Sequence, residues 1–219
     1  MKVVVAGATG LVGTYLLKSL AEEAGISHIT ALSRRSESAE HSKVAWQVVD
    51  YENVDSLNKA CKGAEAAFCC LGTTMAKAGS QEAFRKIDHD YVLTFAEASL
   101  KAGAKQFHMV SAIGASAQSS IFYNRVKGET EEALSKLNFS HYCIYRPGFL
   151  RGDRREVRRA EQVGGWLMQL FSPLMAGRLS KYKTIHGEQV AAAMTREALS
   201  PKKKLRVLQY REMTGSETN

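Results

Sequence analysis

The opening thirteen residues constrain this chain more than any other stretch. Lys2–Ala6 (KVVVA) is a short, unbroken apolar run rich in β-branched residues, which predicts a strand buried on both faces. It runs straight into Gly7-Ala8-Thr9-Gly10-Leu11-Val12-Gly13, and Leu16, Leu17 and Leu20 then recur at helical spacing over 11–24. Gly7 permits a tight turn, Gly10 lets backbone approach a pyrophosphate, and Gly13 lets helix and strand pack closely. The helix start behind them offers free N–H groups and the positive end of a dipole to an anion. This is the pattern of a dinucleotide-binding unit, and its place between a strand and a helix gives it weight.

The same alternation continues along the chain. Apolar runs at 28–32, 44–49, 66–71, 106–111 and 140–145 predict strands, and patterns at 54–60, 81–102 and 122–137 predict helices. Strands alternating with helices imply a sheet covered on both faces, so the expected fold class is α/β, a doubly wound parallel Rossmann sheet. At 219 residues the chain is the size of one domain. After Pro147 the texture changes. Residues 151–159 (RGDRREVRR) read as a charged loop or helix start, and 164–179 (GGWLMQLFSPLMAGRL) are apolar and aromatic. Beyond them 187–199 read as an amphipathic helix, 205–210 as a last strand and 214–219 as a frayed tail. We expect one NAD(P)-binding domain over 1–219, with 151–219 as a small C-terminal, substrate-side elaboration.

The end of the second strand bears on the choice between NAD and NADP. An NAD site carries an acid there to hold the ribose hydroxyls. This chain reads Ser33-Arg34-Arg35 instead, with no acid before Glu37. Guanidinium groups suit a 2′-phosphate and stack on adenine, so NADPH/NADP is expected ahead of NAD. Asp50, at the end of the third strand, either accepts a hydrogen bond from the adenine amino group or caps the next helix. The turn Cys70-Leu71-Gly72-Thr73-Thr74 ends the fourth strand, where backbone runs beside a cofactor and Gly72 permits close approach.

Tyr123 and Lys127 lie at i and i+4, on one helix face. Ser111 ends the preceding strand at the carboxyl edge, where open α/β sheets bind ligands. Such a set suits carbonyl–alcohol redox chemistry. Tyr123 gives a proton to the developing alkoxide or takes one in reverse, and cationic Lys127 supports the phenolate. Ser111 holds the substrate oxygen against Tyr123. Its aim depends on the Ser/Ala-rich segment between Ser111 and Tyr123. A Tyr-x-x-x-Lys pair alone is common, and specificity comes from the ordered set of glycine turn, arginine-bearing strand end, strand-end Ser and Tyr-x-x-x-Lys.

With GATGLVG, SRR, FCCLGTT, FYNRVKGE and RPGFLRGDR in this order, the chain resembles an atypical short-chain dehydrogenase/reductase of the Tat-interacting-protein-like oxidoreductase family, over essentially its whole length. The resemblance implies a Rossmann fold and bound NADPH. It carries cofactor contacts onto Thr9, Gly10, Leu11, Val12, Arg34, Arg35, Leu71, Gly72, Tyr123 and Lys127, and less securely onto Leu150 and Arg158. Animal members of the family also act as regulators of nuclear transport and transcription.

Composition narrows the remaining classes. Lys+Arg 30 against Asp+Glu 22 gives a net +8, and most of it falls late: 151–219 hold 14 basic and 7 acidic residues, 14 − 7 = +7. No recognised nucleic-acid module accompanies that charge, which argues against nucleic acid as a partner, and charge runs ordinarily face water. No apolar run is long enough for a transmembrane segment. Met1-Lys2 leads into VVVAGATG, too short and glycine-broken for a secretory signal. Cys61, Cys69, Cys70 and Cys143 lack CxxC spacing and read as reduced thiols of a cytoplasmic protein with no visible metal set. His108 and His186 read as structural. The 164–179 segment is a lid over an apolar substrate, a face for a second copy or protein partner, a membrane-touching patch, or, as is commoner, a core or substrate-side helix. Two functions therefore stand: an NADPH-dependent oxidoreductase of a carbonyl-bearing small molecule, or an NADPH-binding regulatory or scaffold protein with little turnover.

Overall fold

The computed structural model describes residues 1–39, 41–152, 183–202 and 204–215. Its strands are β1 (Lys2–Ala6), β2 (His28–Ser33), β3 (Val44–Val48), β4 (Ala66–Cys69), β5 (Gln106–Val110), β6 (His141–Tyr145), β7 (Leu150–Arg151), β8 (Ile185–His186) and β9 (Leu205–Leu208). Seven of them form one sheet in the order β3-β2-β1-β4-β5-β6-β9, and each neighbouring pair is parallel. A parallel sheet must be covered on both faces, and β4 and β6 are buried at every position. The chain runs outward from β1 to β3, then crosses to β4 on the other side of β1. That reversal opens a crevice beyond the carboxyl ends of β1 and β4.

Strand alternation sorts the core into two layers. Val3 and Val5 point to one face, beneath α1 (Leu11–Glu22) and α7 (Gly187–Leu199), which pack on each other. Val4 and Ala6 point to the other, beneath α2 (Val54–Ala60), α5 (Tyr91–Lys101) and α6 (Phe122–Ser135). Adjacent Cys69 and Cys70 divide in the same way, one in each layer, and all four thiols are free. Phe107 on β5 sits at the centre of the second layer, with its ring against Phe95, Phe139 and Tyr142.

Three elements differ from the sequence expectation. The long pattern at 81–102 is α4 (Gln81–Arg85), a π turn over Lys86–Asp90, and α5. Strand β9 stops at Leu208, and Tyr210 instead begins α8 (Tyr210–Thr214), because Gln209 and Glu212 cap each other reciprocally. A four-residue helix α3 (Met75–Ala78) is capped by Thr74 and ended by left-handed Gly79. The apolar 164–179 segment and the basic loop from 153 lie outside the described residues. Arg151 pairs with His186 in a two-stranded sheet of β7 and β8. Among the described residues no helix is long and apolar enough to cross a membrane.

Phe107→Ala is expected to cost about 3–5 kcal/mol in chemical denaturation, since the surrounding rings cannot collapse into the space. Val48→Ala, at a side chain 57% exposed, should change stability by less than about 0.5 kcal/mol.

Candidate cofactor and active site

The turn between β1 and α1 is built for an anion. Gly7 adopts a left-handed φ of +72°, and the Gly10 N–H closes the turn on the Gly7 carbonyl at 3.0 Å. Gly10 is itself the N-cap of α1, so no side chain covers the first-turn amides. Thr9 and Gly10 are exposed. Gly13 has a different task, since a Cβ there would lie 2.2 Å from the Gly7 carbonyl oxygen. Val12 and Gly13 are buried, which leaves only their backbone for a ligand. Leu11 turns away from the crevice to pack against Gly152 and Gly187, beside Leu150 on β7.

Arg34 and Arg35 follow β2 directly, and both are exposed with no ion pair among the described residues. Asp50 works locally: its Oδ1 accepts the Glu52 N–H at 2.9 Å, while Asn53 is the N-cap of α2. The next residue, Tyr51, is a contact that the sequence reading missed. It is 5% exposed and stacks on Tyr91 at 5.4 Å. Burial and then nearby Cys69 raise its hydroxyl above the ordinary tyrosine range, against the Gly7 backbone and Arg34, which pull the other way. Tyr51 therefore lies near both the glycine turn and Arg34.

The Leu71–Thr73 turn crosses the crevice between these residues and α6. Lys127 and Asp88 lie beneath it, 4% and 0% exposed, with Nζ and Oδ1 2.7 Å apart. A Cβ on Gly72 would come within 3.4 Å of Asp88 and 3.7 Å of Lys127. The second oxygen of Asp88 accepts the Thr73 N–H at 2.8 Å, and the Thr130 hydroxyl donates to the Asp88 carbonyl at 3.0 Å. Burial alone would push the lysine down, but the Asp88 carboxylate and then the Tyr123 phenol raise it above its usual value. Asp88 was invisible as a site residue because helical periodicity does not announce a π turn. The nearest sequence signal is an acid inside an apolar helical pattern.

Tyr123 stands one turn before Lys127 on α6, half-buried, with its ring 5.4 Å from Phe84. No residue among those described accepts its hydroxyl proton. Ser111 is differently placed: its hydroxyl donates to Glu131 Oε1 at 2.5 Å, and Arg146 grips both oxygens of that carboxylate. The segment between Ser111 and Tyr123 is tied down by a Ser116 N–H to Asn124 carbonyl bond of 3.1 Å and by Arg125 donating to the Ser119 carbonyl at 3.0 Å. Gly128 lets it lie on the helix, since a Cβ there would meet Ala117 N at 2.2 Å. Thus the structure gathers the glycine turn, the 71–73 turn, Tyr123, Lys127 and Ser111 on one edge. Arg158 lies outside the described residues.

The family model described as NAD(P)H-binding matches residues 7–198. Protein HTATIP2 of Rattus norvegicus is 36% identical over 202 residues, covering 91% of this chain and 81% of that protein. The mitochondrial protein FMP52 of Eremothecium gossypii is 34% identical over 217 residues, 97% and 96% of the two chains. Among solved structures, the oxidoreductase ylbE of Lactococcus lactis superposes with a TM-score of 0.70 at 20% identity, covering 99% of this chain and 96% of that one. A UDP-glucose 4-epimerase of Thermotoga maritima, with UDP-glucose, does so at 0.72 and 15%, covering 100% and 84%. At these identities the two structures speak for the fold alone. The cytoplasmic expectation is corrected by the fungal relatives, which are named mitochondrial in Candida albicans, Emericella nidulans and Eremothecium gossypii.

Asp88→Asn should cost about 3–5 kcal/mol at neutral pH, because it strands a buried ammonium. The pH dependence should also change sign. In the parent protein Lys127 holds its proton more tightly folded than unfolded, so its contribution is complete below the ordinary lysine value of about 10.4 and is lost as pH rises through the higher folded value. In the variant only burial remains, the folded pKa falls below the unfolded one, and stability should rise as the pH climbs from neutral towards about 10. Urea unfolding across that range should show the rise in the variant and a flat Lys127 contribution in the parent, whose loss begins only above about pH 10.4.

Proposed function

This chain belongs to the NAD(P)H-binding family, and from that premise we propose that it is an NADPH-dependent oxidoreductase acting on the carbonyl of a small molecule. The observation that carries the reading is a half-buried tyrosine hydroxyl with no acceptor among the described residues, one helical turn from a buried, ion-paired lysine at the crevice of a doubly wound sheet. Uncapped amides at the start of α1 and the exposed Gly10 and Gly72 backbone fit a dinucleotide there. Exposed Arg34 and Arg35, with no ion pair among the described residues and no acid at the end of β2, favour a 2′-phosphate.

Bound NADPH supplies the hydride, and the protein supplies the proton and the geometry. Tyr123 donates its hydroxyl proton to the substrate oxygen as negative charge develops there. Lys127 stabilises the phenolate left behind, and Asp88 holds the ammonium in place beneath the 71–73 turn. Ser111 enters with its hydroxyl already donating a hydrogen bond to Glu131. Its lone pairs can receive the hydroxyl of an alcohol, while donating to a carbonyl oxygen requires release of Glu131. That engagement is also the observation favouring the second reading, a regulatory protein that binds NADPH with little turnover.

Arg34→Ala should weaken NADPH binding about 10–100-fold, the equivalent of losing one charged hydrogen bond, while NADH changes little. Calorimetric titration reads both, and equal losses would remove the 2′-phosphate assignment. Tyr123→Phe should abolish NADPH consumption against a panel of aldehydes and ketones with cofactor affinity retained. Unchanged turnover rejects Tyr123 as the acid. A parent protein that binds NADPH tightly yet reduces nothing in the panel moves the conclusion to the regulatory reading.

A further inference from the structure

Parallel pairing of β5 with β6 brings together residues that are far apart in the sequence. Gln106 lies opposite His141, and His108 opposite Cys143. Alternate positions on a strand share a face, so both histidines and the cysteine project into the same layer beneath α7. His108, His141 and Cys143 are 0%, 3% and 0% exposed, and one ligand atom from each lies within 4.8 Å of the others. The two imidazole rings are 5.4 Å apart between centroids. Two imidazoles and a thiol are a borderline-to-soft donor set, suited to Zn(II)-class ions and poorly suited to Mg(II) or Ca(II).

We propose that His108, His141 and Cys143 form a transition-metal site of the Zn(II) class, structural in role and separate from the cofactor crevice. Its surroundings resemble the outer shell of a metal-ligating histidine, whose second ring nitrogen keeps an oxygen partner. His108 Nδ1 is 3.0 Å from the Tyr145 hydroxyl and Nε2 is 3.1 Å from Gln106 Oε1. Whichever nitrogen turns to the ion, the other can donate to an oxygen already in place. Gln106 is anchored in turn by donating to the Ala198 carbonyl of α7 at 3.2 Å. Binding replaces the thiol proton of Cys143 by the metal, and the proton leaves to solvent. His141 and Gln106 begin their strands whereas Ser111 follows the end of β5, so the site lies towards the opposite end of the sheet from the proposed chemistry. Its effect would be to bind β5 and β6 together beneath α7.

The test is titration of the chelator-treated full chain with Co(II), a spectroscopic stand-in for Zn(II). The expected result is one equivalent bound, with a thiolate-to-cobalt charge-transfer band and visible bands of low-coordinate geometry, bleached on adding Zn(II). Cys143→Ser should lose the charge-transfer band, and His141→Gln should weaken Co(II) binding about 10-fold or more. Zn(II) should also raise the melting temperature of the parent protein, because it binds the folded state alone. Absence of the band in the parent protein overturns the proposal, as does a band that survives Cys143→Ser and disappears in Cys70→Ser. If Cys143→Ser does not fold, the parent titration and His141→Gln decide the matter. No NADPH or substrate enters the experiment, so its failure leaves the oxidoreductase reading untouched.

Discussion

Two opposite charges shielded from water hold the carboxyl edge of this sheet together. Neither Lys127 nor Asp88 can stay charged in that place without the other, since a buried ion stripped of its partner costs several kcal/mol. The elements that carry them are therefore tied in position: α6 through the lysine, the π turn through the aspartate, and the 71–73 turn through its amide on the same carboxylate. The extra residue per turn in a π segment changes which side chains face inward, and here it accompanies a fully buried Asp88. A helix continuing in α register from Gln81 would present a different face to α6.

The opposite wall of the crevice is set by contact distance. Gly13 lets α1 close on the first strand, and Leu11 at the start of that helix is clasped by Gly152 and Gly187. Helix α1 is thus packed against residues flanking the β7–β8 pair that follows Pro147. Adjustment at the amide end of α1 must be felt by the C-terminal elaboration, and the reverse holds too. In a close-packed interior such contacts transmit displacement because there is little void to absorb it.

Much of this was legible in the sequence because the responsible forces are local. The strand periods, the glycine turn and the Gly187–Leu199 helix follow from burial alternation, backbone sterics and helical spacing, and each lies where the pattern places it. What escaped depends on partners distant along the chain. Asp88 joins the candidate site only when α6 brings Lys127 to it, and Tyr51 only when the sheet brings the residues after β3 near the glycine turn, across β2. Glu131 reads as one acid among several on α6 until β6 delivers Arg146. The misplaced end of β9 has a smaller cause, since Gln209 is not an ordinary helix-capping residue and its role depends on Glu212 reaching back.

The two hydroxyls at the edge are distinguished by where their protons go. Ser111 packs beside α6 and Tyr123 lies on it, yet the serine hydroxyl donates its hydrogen bond to Glu131, which Arg146 fixes, while no described group accepts one from the tyrosine hydroxyl. A carboxylate in the place of Glu131 makes Ser111 an acceptor by default, and a neutral amide there would leave it free to donate. Whether Ser111 can donate or only accept a further hydrogen bond thus rests on one buried acid. Arg146, which follows β6, holds both oxygens of that acid.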